Sequence, residues 1–153
     1  PGSIFELCLS GVNLITNIAE SIAEFGGAAL FIDYGHERSG IGDTLQAVKD
    51  HQYHDVLLDP GKADLTAHVD FQRLAETAQA VGAATYGPIP QRNFLGPLGI
   101  EHRAKQLHDA ASTRQKADVQ SSLNRLIGED EMGTLFKVLA ITHPDQPKPE
   151  GFG

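Results

Sequence analysis

The chain has 153 residues, 41% apolar and 21% charged, with a formal charge of −8, the balance of one globular domain able to bury a core and not of a disordered chain. No window clusters lysine or arginine as a nucleic-acid footprint requires, so nucleic acid is not an expected partner, while the acidic balance permits a cationic one. The single cysteine, Cys8, cannot close an internal disulfide and points to a reducing compartment, and no apolar stretch approaches the ~20 residues of a membrane span.

From Val12 to Phe25 the apolar residues Val12, Ile15, Ile18, Ala19, Ile22 and Phe25 fall on one stripe at helical period, with Ser10 as the expected N-cap. A strand ahead of this helix would fall around Ile4-Phe5-Glu6-Leu7. Gly26-Gly27 provides the exit, and Ala28 to Ile32 then reads as a strand covered on both faces, as in a parallel α/β sheet. That strand ends in Asp33-Tyr34-Gly35-His36. In open α/β sheets ligands sit beyond the carboxyl ends of strands, so Asp33 and its followers are the first functional candidates.

No long period is convincing between Gly35 and Val69, a span of roughly 30 residues that reads as mixed loop with short strands or a hairpin between Thr44 and Leu58. Asp70 is the expected cap of a helix with the stripe Phe71, Leu74, Ala75, Ala78 and Val81, stopped by Gly82. A short strand over Ala83–Tyr86 follows, then a rigid turn at Gly87-Pro88-Ile89-Pro90 and a short helix from Gln91. Ile100–Ala111 and Thr113–Ile127 read as a helical hairpin, and Thr134–Thr142 as a late strand of the same sheet. No repeat or composition shift divides the chain. One domain over 1–143 and a mobile tail over 144–153, with nothing to bury, are expected.

Three constellations carry chemistry. His51, His54 and His68, with Asp55, Asp64 and Asp70, are residue types that ligate metals, but no HExxH helix holds them on one face, so second-shell and surface histidines are the better reading. No GxSxG, GxGxxG or GxxxxGK[ST] motif is present, which leaves neither a hydrolase elbow nor a phosphate cradle. Asp33 at its strand end is a candidate acid against the alternative of a turn former. Asp64, Thr66 and His68 precede the Asp70 helix without an obvious structural duty, and function and structure stand even for them.

Gly27-Ala28-Ala29-Leu30-Phe31-Ile32-Asp33-Tyr34-Gly35, Gly42-Asp43-Thr44-Leu45, Asp64-Leu65-Thr66-Ala67-His68-Val69-Asp70-Phe71, Gln91 with Phe94-Leu95, and Met132-Gly133 leading to Phe136-Lys137-Val138-Leu139 resemble the MidA family. These are S-adenosylmethionine-dependent methyltransferases whose mitochondrial members assist assembly of respiratory complex I by dimethylating an arginine. The resemblance implies an α/β fold, a partial class I (Rossmann-like) methyltransferase sheet with flanking helices and a long loop insertion. The opening strand would be its fifth and Thr134–Thr142 its antiparallel last strand. It also implies that the glycine-rich loop, the ribose-binding acid and the Asn-Glu segment that hold the cofactor lie upstream, so that this chain is a C-terminal part, inactive alone. Glu6 matches a glutamate of the family, although Leu7-Cys8-Leu9-Ser10-Gly11 departs from the pattern that follows it.

Under this resemblance Asp33 and Tyr34 line the floor near the methyl donor, while Asp64, Thr66 and His68 close the substrate side around a guanidinium that must be oriented for in-line transfer. The partner is a protein substrate carrying an arginine, in the bacterial cytoplasm or the mitochondrial matrix. A homo-oligomer is allowed, because a sheet lacking a neighbour exposes an edge. Two rivals stand beside it: a non-catalytic binding or assembly module, and a metal-dependent hydrolase using His51, His54 and His68.

Overall fold

The computed structural model describes residues 2–50 and 52–153, and His51 lies outside the described residues. In chain order the elements are α1 (Leu9–Phe25), β1 (Ala28–His36), β2 (Gln46–Lys49), β3 (Gln52–His54), β4 (Asp64–Thr66), β5 (Val69–Asp70), α2 (Phe71–Ala80), β6 (Ala84–Pro90), α3 (Gln91–Leu95), α4 (Ile100–Asp109), α5 (Thr113–Ile127), α6 (Met132–Leu135) and β7 (Phe136–Thr142). They form a four-stranded sheet of order β5-β1-β7-β6 and a three-stranded sheet of order β3-β2-β4.

β7 is antiparallel to β1, from Ala28 opposite Thr142 to Tyr34 opposite Phe136, and antiparallel to β6 on its other side. β1 and β6 therefore run the same way with β7 reversed between them, as an antiparallel last strand requires. On its far edge β1 pairs only with β5, parallel, through Gly35 with Val69 and His36 with Asp70. From Ala28 to Tyr34 that edge has no strand partner among the described residues.

One face of the sheet carries α1 and α2. Ile15, Ala19 and Ile22 meet Phe71, Ala75 and Ala78 over Leu139 and Ile141, with Ala29 and Phe31 packed against this cluster. Alanines at 19, 75 and 78 keep the two helices close, since a methyl side chain adds little width at their contact. Strand alternation turns Leu30 and Ile32 to the opposite face, where they are 49% and 42% exposed. The expectation of a strand covered on both faces is corrected here: apolar residues occupy both faces of β1, but only one face is covered within this chain.

Several local readings also change. The cap of α1 is Cys8, whose Sγ accepts from Gly11 N–H at 3.4 Å, and Ser10 lies inside the first turn. Ile4–Leu7 forms no strand. Phe25, assigned to the buried stripe, is 77% exposed at the helix end. Gly87–Pro90 continues β6 instead of turning, with the ladder irregular between Tyr86 and Ile89, where Pro88 has no N–H to give. Thr134 and Leu135 belong to α6, so β7 starts at Phe136.

Between Gly35 and Val69 lies the second sheet: its β2–β3 hairpin falls within Thr44–Leu58, where short strands or a hairpin were expected, and β4 adds a third strand. The tail was expected to have nothing to bury, yet its end docks: Phe152 packs its ring 5.2 Å from Phe94 and 6.3 Å from Tyr86, and Gly151 is buried with φ +91, where a Cβ would strike the Phe94 ring.

Phe71 is fully buried between the helices and the sheet. Phe71→Ala is expected to lower stability by about 3–5 kcal/mol in urea unfolding followed by circular dichroism, whereas Phe25→Ala should stay within about 0.5 kcal/mol.

Candidate functional site

The carboxyl end of β1 is shaped by one close approach. A Cβ on Gly35 would collide with the Val69 carbonyl, so only glycine lets β5 pair against the end of β1. That pairing carries His68, the residue just before β5, to the strand end. There the Tyr34 ring stands edge-to-face against His68 (centroids 5.8 Å, 70°) and against Phe136 (5.7 Å, 70°).

Asp33 beside it is exposed. Its Oδ1 accepts from Tyr34 N–H at 2.8 Å, and its carboxylate has no other hydrogen bond or ion pair among the described residues. Lys137 faces Asp33 in the ladder but is 8% exposed and turns its Nζ to the carbonyls of Thr134 and Leu135, at the end of α6. Burial pulls the Lys137 ammonium below the ordinary lysine range, and the charge of Glu37 opposes this.

Asp64 and Thr66 lie apart from this pair. Both sit on β4 of the second sheet, opposite Val48 and Gln46, and no hydrogen bond, ion pair or ring contact joins them to Asp33, Tyr34 or His68 among the described residues. Of the five residues proposed from sequence, the structure thus joins Tyr34 and His68, leaves Asp33 at the same strand end on the opposite face, and places Asp64 and Thr66 on a different sheet. His54 stands 3.8 Å from Asp59, which also pairs with Lys49 at 2.6 Å. It does not join His68, and no group of three potential metal ligands comes together among the described residues.

Asp70 is the expected cap of α2. Its Oδ1 accepts from Arg73 N–H at 3.0 Å, both oxygens accept from the Ser39 hydroxyl at 2.9 and 2.7 Å, and His36 Nε2 lies 3.8 Å away. Ser39 N–H in turn donates to Gln72 Oε1 at 2.9 Å, which pins the chain after β1 to the first turn of α2.

Glu6 was passed over in the site reading. Its carboxylate accepts from Thr44 N–H (3.0 Å), Leu45 N–H (3.1 Å) and the Thr44 hydroxyl (2.5 Å). Only the Glu6 family match and the Gly42-Asp43-Thr44-Leu45 motif signalled it, because its partners lie far along the chain. These bonds enclose a cleft of ≈ 570 Å³ between the first half of α1, the end of β1 and the first turn of α2, with Val12, Ile15, Phe31 and Leu74 as apolar wall and His36 and His68 at its polar side. Glu6 and Asp70 are already occupied by the chain's own donors, whereas Asp33 is exposed at the same strand end, with strand alternation turning its carboxylate to the face of β1 opposite the Tyr34 ring.

Residues 1–89 match a family described as "Putative S-adenosyl-L-methionine-dependent methyltransferase". The chain belongs to this family. It is similar to the Protein arginine methyltransferase NDUFAF7, mitochondrial, of Mus musculus, at 41% identity over 137 residues, covering 89% of this chain and 31% of that protein. The protein of the same name in Danio rerio is 40% identical over 136 residues, with 89% and 32% covered. Among solved structures, a Burkholderia thailandensis protein bound to S-adenosyl-homocysteine superposes with a TM-score of 0.78 at 31% identity, over 93% of this chain and 38% of that one. The chain spans about a third of the length of the curated relatives it matches. The partial Rossmann-like sheet read from the family resemblance stands.

Among the described residues, the glycines of β1 and its entry offer S-adenosylmethionine no backbone cradle. Gly35, the glycine at the ligand end of β1, is filled by its approach to Val69, and Gly26 and Gly27 lie at the opposite end of the strand.

The Thr44 hydroxyl first, then the backbone donors of Thr44 and Leu45 and the nearby His36 hold Glu6 below its ordinary value of 4.5, against the opposing effect of burial. A depressed carboxylate stabilises the fold above the unfolded value and loses that contribution as pH falls through the folded one. Protection of the Thr44 and Leu45 amides in hydrogen exchange should thus fall as pH drops below 4.5, and Glu6→Gln should abolish this step.

Proposed function

We propose that this chain is the acceptor-side part of an S-adenosylmethionine-dependent protein arginine methyltransferase. The observation that carries the reading is the Tyr34–His68 ring pair at the carboxyl end of β1, with the exposed acid Asp33 at the same strand end on its other face. Membership of the family and relatives named protein arginine methyltransferases support it. A guanidinium is a planar cation with five N–H donors, best held by a carboxylate and aromatic surface together. Asp33 has one oxygen engaged by Tyr34 N–H, and the other is open to such a donor.

In this reading Asp33 holds the guanidinium across the end of the strand, and Tyr34 and His68 bound its approach from the other face. Asp64 and Thr66, exposed or half-exposed on β4, meet the acceptor polypeptide further out instead of the guanidinium itself. The cofactor is held by the part of the protein that the relatives have beyond this chain. That part covers the unpaired edge of β1 and the exposed Leu30 and Ile32, an edge that in isolation also permits two copies to pair. The resemblance adds a role in respiratory complex I assembly, with the mitochondrial matrix or the bacterial cytoplasm as compartment. No helix among the described residues is long and apolar enough to cross a membrane.

The test uses the intact polypeptide, a labelled methyl donor and an arginine-containing acceptor. Asp33→Asn and His68→Ala are expected to lower kcat/KM by about 10- to 100-fold, the range for losing a charged hydrogen bond or a positioning contact, with unchanged melting temperature. Asp64→Asn should act mainly on KM. Near-normal transfer by both Asp33→Asn and His68→Ala overturns the assignment.

A further inference from the structure

Glu6 lies just ahead of α1, yet what it holds is 38 and 39 residues further along the chain. Its Oε1 accepts from the backbone of Thr44 and Leu45, and its Oε2 accepts from the Thr44 hydroxyl. A hydroxyl has one proton. With that proton given to Glu6, Thr44 Oγ1 is an acceptor toward its other neighbour, and His68 N–H donates to it at 3.0 Å. The relay of carboxylate, hydroxyl and amide joins segments separated by 38 and 24 residues. Gly42 N–H, donating to the Ile4 carbonyl at 3.1 Å, ties the first two segments a second time.

His68 sits between β4 and β5, outside the register of either ladder, so the Thr44 hydroxyl supplies what strand pairing does not at that peptide. The groups in the relay are only part-buried, and water competes for such bonds, which leaves them small contributors to stability. What they determine is direction. The amide they hold carries the imidazole that meets Tyr34 edge-to-face.

We propose that Glu6 is a positioning residue: through the Thr44 hydroxyl it fixes the backbone at His68 and so seats the imidazole against Tyr34. The inference rests on reading Tyr34 and His68 as the acceptor wall. A glutamine at position 6 keeps the volume and one acceptor oxygen for the loop amides, but it presents an NH₂ group to the Thr44 hydroxyl, which can no longer donate there and loses the polarity that aims it at His68 N–H.

The experiment compares Glu6→Gln, Thr44→Val and Thr44→Ser in the intact polypeptide, reading the His68 amide exchange rate and imidazole resonances by NMR, alongside kcat and KM for transfer to an arginine peptide. Glu6→Gln and Thr44→Val are expected to speed His68 amide exchange by about five- to tenfold, the range for one lost hydrogen bond. They should also shift the imidazole resonances and lower kcat more than they raise KM. Thr44→Ser, which keeps the hydroxyl, should restore all three. Unchanged His68 exchange and resonances in both Glu6→Gln and Thr44→Val overturn the relay whatever the activity does. Changed exchange and resonances with wild-type kcat and KM overturn the acceptor-wall reading on which the role depends, and leave the relay itself intact.

Discussion

β7 runs backward between two strands that point the same way, and the rest of the main sheet depends on it. Both of its edges are paired, with β1 and β6, and every residue from Lys137 to Thr142 is buried. Leu139 and Ile141 point into the cluster under α1 and α2, each contributing about 1.5–3 kcal/mol by burial. Val138 and Ala140 turn to the other face and are equally enclosed. A lysine survives in this setting because Lys137 reaches the carbonyls of Thr134 and Leu135 at the end of α6, which would otherwise lack donors.

With β1 held along one edge by β7, its carboxyl end becomes a fixed platform, and short polar ties then assemble a site on it. Asp70 caps α2 and holds Ser39, while Glu6 holds Thr44, so the chain leaving β1 is fastened at two points ahead of the second sheet. Both acids are consumed by this work. Asp33 has no partner beyond its neighbour's amide among the described residues. The division between occupied and free carboxylates is what separates the frame of the site from its candidate chemistry.

Much of this was legible from periodicity and caps. The stripes of α1 and α2, the pair α4 and α5, and the Asp70 cap follow from residues within a few positions of each other, so local spacing suffices to find them. The second sheet was harder, because strands of three and four residues are too short to show a period of two. Phe25, Leu30 and Ile32 misled for a different reason. Hydrophobic pattern records what a residue is suited to cover, and these three lie exposed in this chain.

By itself the sequence determined the α/β class, the family, the helices, and the acid, tyrosine and glycine at the end of β1, since motif spacing and apolar period are properties of neighbouring residues. Only the tertiary structure decided which candidates meet. Tyr34 and His68 come together because a glycine admits β5 against the end of β1, Asp64 and Thr66 are carried away on another sheet, and Glu6 gains its role from a threonine distant along the chain. Each outcome depends on contacts between remote segments, whose register is set by packing and hydrogen bonding and leaves no local pattern to read.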